Sequence, residues 1–204
     1  MTNRLLAIAT MTTLVLLAQV GQARAQSEIR YRFTFPEPEH HWMAVEATFE
    51  SLPSSPLELR MSRSSPGRYS LHDFAKNVYD VTATDPDGRP LTLSRPDPYG
   101  WTVAVHGSAV TVRYKVFGDR TDGTYLGVDR THAHLNMPAS VMFARGLDDR
   151  PVRLVFAQPA GARWSLATQL DPTDNPLEYT APNLQYLMDS PAEFGHVTID
   201  LRQQ

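Results

Sequence analysis

His132 and His134 stand two residues apart, and the chain has seven histidines and no cysteine. On a strand that spacing puts both imidazoles on one face, about 7 Å apart, where they could begin a zinc site. A catalytic zinc takes three protein ligands and keeps one position open, and the spacing supplies no third ligand. A polar strand face is the simpler reading. His40-His41 offers less, because neighbouring strand residues point to opposite faces. Asp148-Asp149 sits beside Arg145 and Arg150 and reads as a solvated loop. The sequence contains no His-Glu-x-x-His, which would set two ligands and a general base on one helix face. It contains no Gly-x-Ser-x-Gly elbow and no glycine-rich phosphate cradle. Asp189-Ser190, just before Pro191, reads as a capping or turn element. The residues present assemble no catalytic machinery.

The elements that would carry these side chains are short and mostly extended. Ile29, Tyr31, Phe33 and Phe35 alternate with Arg30, Arg32 and Thr34, and Pro36-Glu37-Pro38 ends that strand. Met43, Val45, Ala47 and Phe49 form a second alternating strand. Asp85-Pro86-Asp87-Gly88 predicts a hairpin turn between 78–84 and 89–93. Trp101, Val103 and Val105, then Gly107-Ser108, then Val110, Val112, Tyr114 and Val116 predict a second hairpin. Residues 118–129 read as a loop. Extended segments follow at 132–136, 152–157, 165–167 and 197–201, with a helical turn after Pro182. The fold expected is all-β, an antiparallel sandwich or saddle with one or two short helical turns.

Between the strand Leu57–Met61 and the strand starting at Val78 lies the corner Arg63-Ser64-Ser65-Pro66-Gly67-Arg68-Tyr69-Ser70-Leu71-His72-Asp73-Phe74-Ala75-Lys76-Asn77. Pro66 presets the first central position of a type II turn, and Gly67 can take the positive φ of the second. Ser70 is expected to cap a short helix with Asp73 near its positive end. Leu71, Phe74, Ala75 and Val78 fall at i, i+3, i+4 and i+7, a face able to dock on a sheet.

Ser-Pro-Gly-Arg-Tyr at 65–69, Asp73 to Val78 and Asp87-Gly88-Arg89-Pro90-Leu91 together resemble the amino-terminal domain of the M61 glycyl aminopeptidases. The resemblance continues through Trp101-Thr102-Val103, Val112-Arg113-Tyr114, Leu135-Asn136 and Asp189-Ser190-Pro191. The family corner more often has Pro and Trp near positions 62 and 64, where this chain has Ser62 and Ser64. The resemblance implies a β domain that packs on a thermolysin-like zinc domain and lines one wall of its substrate cleft. It implies zinc in that catalytic domain and no cofactor in this chain, with a downstream peptidase domain, in cis or trans, and peptide substrate as partners. Asn136 would lie nearest the cleft, with His134 on the same strand face; the alternative for Asn136 is a buried turn residue before Met137-Pro138. Arg68, Tyr69 and His72 are further cleft or interface candidates, Tyr69 alternatively being a packed corner residue bonded to backbone. Asp189 and Ser190 would shape the interface with a following domain, or simply connect two strands.

Residues 1–25 carry Arg4, an apolar run from Leu5 to Val20 and Ala23-Arg24-Ala25. That is the pattern of a secretory signal peptide cleaved before Gln26, and the run is short for a membrane span. The expected product, residues 26–204, is periplasmic or secreted, keeps no membrane span, and has 17 basic against 22 acidic residues. With no block of like charge, nucleic acid is a poor partner. With no cysteine, a disulfide scaffold is excluded, and about 180 residues must hold together by their core. A stand-alone periplasmic module binding peptide or glycan is the competing reading.

Overall fold

Period-two alternation becomes inside and outside in the computed structural model, which describes residues 27–196. The expected signal peptide and the extended segment at 197–201 lie outside the described residues. The strands are β1 (Ile29–Thr34), β2 (Trp42–Phe49), β3 (Leu57–Met61), β4 (Val78–Thr84), β5 (Leu93–Asp97), β6 (Gly100–Val103), β7 (Val110–Phe117) and β8 (Gly127–Val128). They continue as β9 (His132–Leu135), β10 (Met142–Ala144), β11 (Val152–Phe156), β12 (Ser165–Thr168), β13 (Asp171–Pro172), β14 (Glu178–Ala181) and β15 (Ala192–Gly195). Helical turns span Met137–Ser140 and Leu184–Met188. Among the described residues, no helix is long and apolar enough to cross a membrane.

A seven-stranded sheet runs β13-β14-β11-β1-β2-β7-β4, and four-stranded sheets run β10-β3-β6-β5 and β12-β15-β9-β8. Among the described residues, all strand pairings are antiparallel except β1 with β11. The all-β sandwich expected from the sequence is the architecture found. Ile29, Tyr31 and Phe33 are buried on β1, while Arg30 and Arg32 face out. The outer face carries ion pairs such as Arg113 with Glu46 at 2.7 Å, each contributing about 0–1 kcal/mol.

The inner face packs on both small sheets. Phe35 and Phe156 meet Phe194 of β15 at ring distances of 5.6 Å, and Trp164 stands 5.3 Å from Phe194. Two buried tyrosines bolt the segment 140–142. Tyr31 donates from its hydroxyl to the Met142 carbonyl at 2.7 Å, and the Tyr114 hydroxyl accepts from Met142 N–H at 2.8 Å. Burial pushes both phenols' pKa values up, so both stay protonated and able to donate.

β6 and β7 do not form the expected hairpin: β6 pairs with β3 and β5, and β7 with β2 and β4. Both strands bury one apolar face, which suits two layers facing across a core as well as two strands side by side. The Asp85–Gly88 turn does close as expected, with Gly88 N–H donating to Asp85 O at 3.0 Å. The chain leaves the large sheet soon after it, so β5 begins in another layer.

Candidate functional surface at the corner and the His134 cavity

The corner turns where Pro-Gly requires. Arg68 N–H donates to Ser65 O at 3.0 Å, and Gly67 has φ of 72°, the left-handed value a type II turn needs. His72 N–H closes the loop on Arg63 O at 2.9 Å. The helical turn, however, starts at Phe74 and is a single 3-10 turn to Asn77. Ser70 caps nothing; its hydroxyl lies 3.4 Å from His72 Nε2. Asp73 precedes the turn without a side-chain cap and instead accepts from the Tyr99 hydroxyl at 3.1 Å. Phe74, Ala75 and Val78 make the buried contact, whereas Leu71 is 70% exposed. Tyr69 is fully exposed rather than packed, because the turn ends before it and points it outward from the loop tip. Arg68 is exposed beside it, and His72 stacks on Phe74 at 5.0 Å and meets Tyr125 at right angles at 5.8 Å.

Asn136 is buried and joins two loops. Its side-chain amide donates to Ser65 Oγ at 3.0 Å and to the Thr124 carbonyl, linking the corner to the 118–129 loop. Its own carbonyl accepts from Ser140 Oγ at 2.8 Å. The tyrosine bolts at 140–142 thereby fix the residue that holds the corner. The expectation that residues 118–129 form a loop is modified by β8, which lies inside that stretch and pairs with β9.

On the other side of that loop lies a cavity of about 250 Å³, lined among others by His41, Asp129, His132, His134 and Glu193. His132 and His134 share a strand face as the spacing predicts. Glu193, opposite His134 across the β9–β15 ladder, accepts from His134 Nδ1 at 2.5 Å. Gly195 stands opposite His132, and a Cβ there would lie 2.5 Å from His132 Cβ, so glycine permits this close register. His132 Nδ1 lies 3.3 Å from Asp129 Oδ1. Burial opposes the Asp129 charge, but hydrogen bonds from the Thr131 hydroxyl and the Thr131 and His132 N–H groups outweigh it and lower its pKa to about 2. His40 is exposed on a 3-10 turn, whereas His41, with φ of 64°, turns into the cavity.

Asp189 and Ser190 end the Leu184–Met188 helix. Ser190 is buried, its hydroxyl donating to Tyr186 O at 2.6 Å and accepting from Gln169 Nε2 at 3.1 Å. Asp189 is exposed in an open groove of about 520 Å³ that also takes in Ser62, Ser64, Pro66, Pro138 and Asp149. The structure therefore brings Asp189 to the corner, ties Asn136 beneath it, and puts His134 in the cavity beyond. Arg68 and Tyr69 stand clear of all three.

Neighbouring strand positions would send His40 and His41 to opposite faces, but the pair ends a 3-10 turn where a left-handed backbone sends His41 into the cavity; Glu193 is placed by a strand register that the sequence does not state. Among the described residues, no three His, Cys, Asp or Glu side chains are grouped to hold a metal ion. A catalytic zinc with three protein ligands does not fit them.

Comparison with known proteins places these features in a family. No curated protein sequence matches the chain. A crystal structure of an aminopeptidase N family protein from Idiomarina loihiensis superposes with a TM-score of 0.79 at 25% identity, over 84% of this chain. The chain spans only 30% of that protein's length. The family model of the peptidase M61 N-terminal domain matches residues 30–196. The chain belongs to the peptidase M61 N-terminal domain family.

Proposed function

We propose that this chain is the non-catalytic amino-terminal domain of an exported M61-like metalloaminopeptidase, bracing the zinc domain and lining its peptide cleft. The observation that carries the reading is the family match across 30–196, over a chain in which no described side chains form a three-ligand zinc set. The zinc and the general base belong, on this reading, to a partner peptidase domain. Exposed Tyr69 and Leu71, on the loop whose Pro66 lines the groove, supply contact area of the kind a domain interface uses. Asn136 acts from beneath, holding Ser65 and so the shape of that loop.

The test is reconstitution. The purified chain is mixed with a separately expressed M61 zinc domain, and release of amino-terminal residues is followed with and without chelator. Chelator-sensitive release that rises on mixing is expected, with none from the chain alone. Chelator-sensitive cleavage by the chain alone, or a stable monomer that leaves the zinc domain unchanged, overturns the reading.

A further inference from the structure

We propose that His132 and His134 form a two-imidazole chelate for a divalent transition-metal ion of the copper or zinc type. His134 lines the cavity, and its Nε2 is buried with no hydrogen-bond partner among the described residues. Its other nitrogen donates to the Glu193 carboxylate, which can only accept when ionised. In the neutral ring that bond puts the proton on Nδ1 and the lone pair on Nε2, the carboxylate–histidine arrangement that orients metal-ligating imidazoles. His132, two residues away on the same face, has Nδ1 beside Asp129 Oδ1 and Thr131 Oγ1, at 3.3 and 3.2 Å. Donation there leaves its Nε2 lone pair free as well. His41 follows the same rule, its Nδ1 meeting the Val128 carbonyl at 2.6 Å in the same cavity wall.

The charge of the cavity favours a cation. Asp119, Asp129 and Glu193 line it against Arg120, whose guanidinium lies over the Tyr125 ring at 5.0 Å. Imidazole nitrogens suit copper, zinc and nickel, whereas magnesium and calcium prefer oxygen. Among the described residues no three His, Cys, Asp or Glu side chains are grouped to hold a metal ion, so an ion on this pair would keep positions open to water. This is a capture site, with two protein ligands.

The experiment is calorimetric titration of the tag-free full chain with Cu²⁺, with Zn²⁺ and with Mg²⁺, together with electron paramagnetic resonance of the Cu²⁺ form. One Cu²⁺ or Zn²⁺ per chain, no Mg²⁺ uptake, and nitrogen hyperfine structure from two imidazoles are expected. His134→Ala loses the site. His132→Ala, at a half-exposed and tolerant position, loses one nitrogen from the spectrum. Glu193→Gln keeps a hydrogen-bond acceptor but weakens affinity about tenfold, by removing the charge behind the ligand. His40→Ala, outside the cavity, leaves uptake unchanged. Failure of the wild-type chain to take up Cu²⁺ or Zn²⁺ above Mg²⁺ overturns the proposal, and water is then the partner of His134 Nε2. Uptake unchanged in both histidine variants overturns it equally. The titration needs no peptidase domain, so its outcome is separate from the reconstitution result.

Discussion

Tyr31 and Tyr69 are the same side chain in two regions built on different rules. Tyr31, on a central strand, is 1% exposed, stacks in line with Phe33 and spends its hydroxyl on the Met142 carbonyl. Tyr69, on the corner loop, is fully exposed. On β1 the pleat dictates which side chains enter the core, and burying a large apolar side chain stabilises by about 1.5–3 kcal/mol. In the corner the backbone is set by Pro66-Gly67, by Asn136 from below and by the buried Phe74 and Ala75, so the loop tip at Tyr69 and Leu71 needs no burial of its own. The core region encodes stability. The corner is shaped by a turn, a few polar bonds and the Phe74 anchor, and leaves Tyr69 and Leu71 free for contact.

Substitutions can break that contrast or sharpen it. Phe194→Ala removes the ring where Phe35, Phe156 and Trp164 converge and is expected to cost about 3–5 kcal/mol, measured by urea unfolding. Asn136→Ala leaves Ser65 and the Thr124 carbonyl without their donor and should cost about 1–3 kcal/mol; a cost near zero in the same assay would mean the corner holds itself. Gly67→Ala meets no atom within 4 Å, so its expected loss of about 1–2 kcal/mol is conformational alone.

Acid provides a gentler probe of the cavity side. The folded-state pKa of Asp129 is lowered from the ordinary 3.8 to about 2, so its contribution is present above the ordinary value and is lost as pH falls towards 2. Asp129→Asn should therefore flatten the acid limb of a melting-temperature profile between those values while leaving the neutral limb parallel to wild type. Because the side chain is about half exposed, the effect is modest. The smallest change in stability is expected for the double substitution Tyr69→Ala with Leu71→Ala, within about 0.5 kcal/mol. Its association with an M61 zinc domain should nevertheless weaken. Unaltered association would place the docking face elsewhere.

Much of this arrangement was legible in the residues. Alternation in Ile29–Phe35 and Met43–Phe49 is a local property of an extended chain, and both strands form with the expected inward faces. The Pro66-Gly67 turn, the Asp85–Gly88 turn and the helical turn capped by Asn183 are likewise local, each written in the φ preferences or side-chain bonds of adjacent residues. The failures were of another kind. Leu71, Phe74, Ala75 and Val78 had helical spacing, but one 3-10 turn satisfied the segment and Leu71 stayed outside. The strands at Trp101 and Val110 had hairpin spacing, yet an amphipathic strand does not state whether its neighbour lies beside it or across the core.

The sequence by itself determined the class of fold, the inward residues of the long strands, the sharp corner and the family resemblance, because these depend on side-chain period and on residues a few positions apart. Only the tertiary structure decided which strands share a sheet, that Asn136 links Ser65 to Thr124, and that His41, His134 and Glu193 face one cavity. The side-chain contacts among them join residues 12, 59 and 71 positions apart, Asn136 with Thr124, His134 with Glu193 and Asn136 with Ser65, and they are fixed by register and layer packing. No local preference of the backbone encodes them.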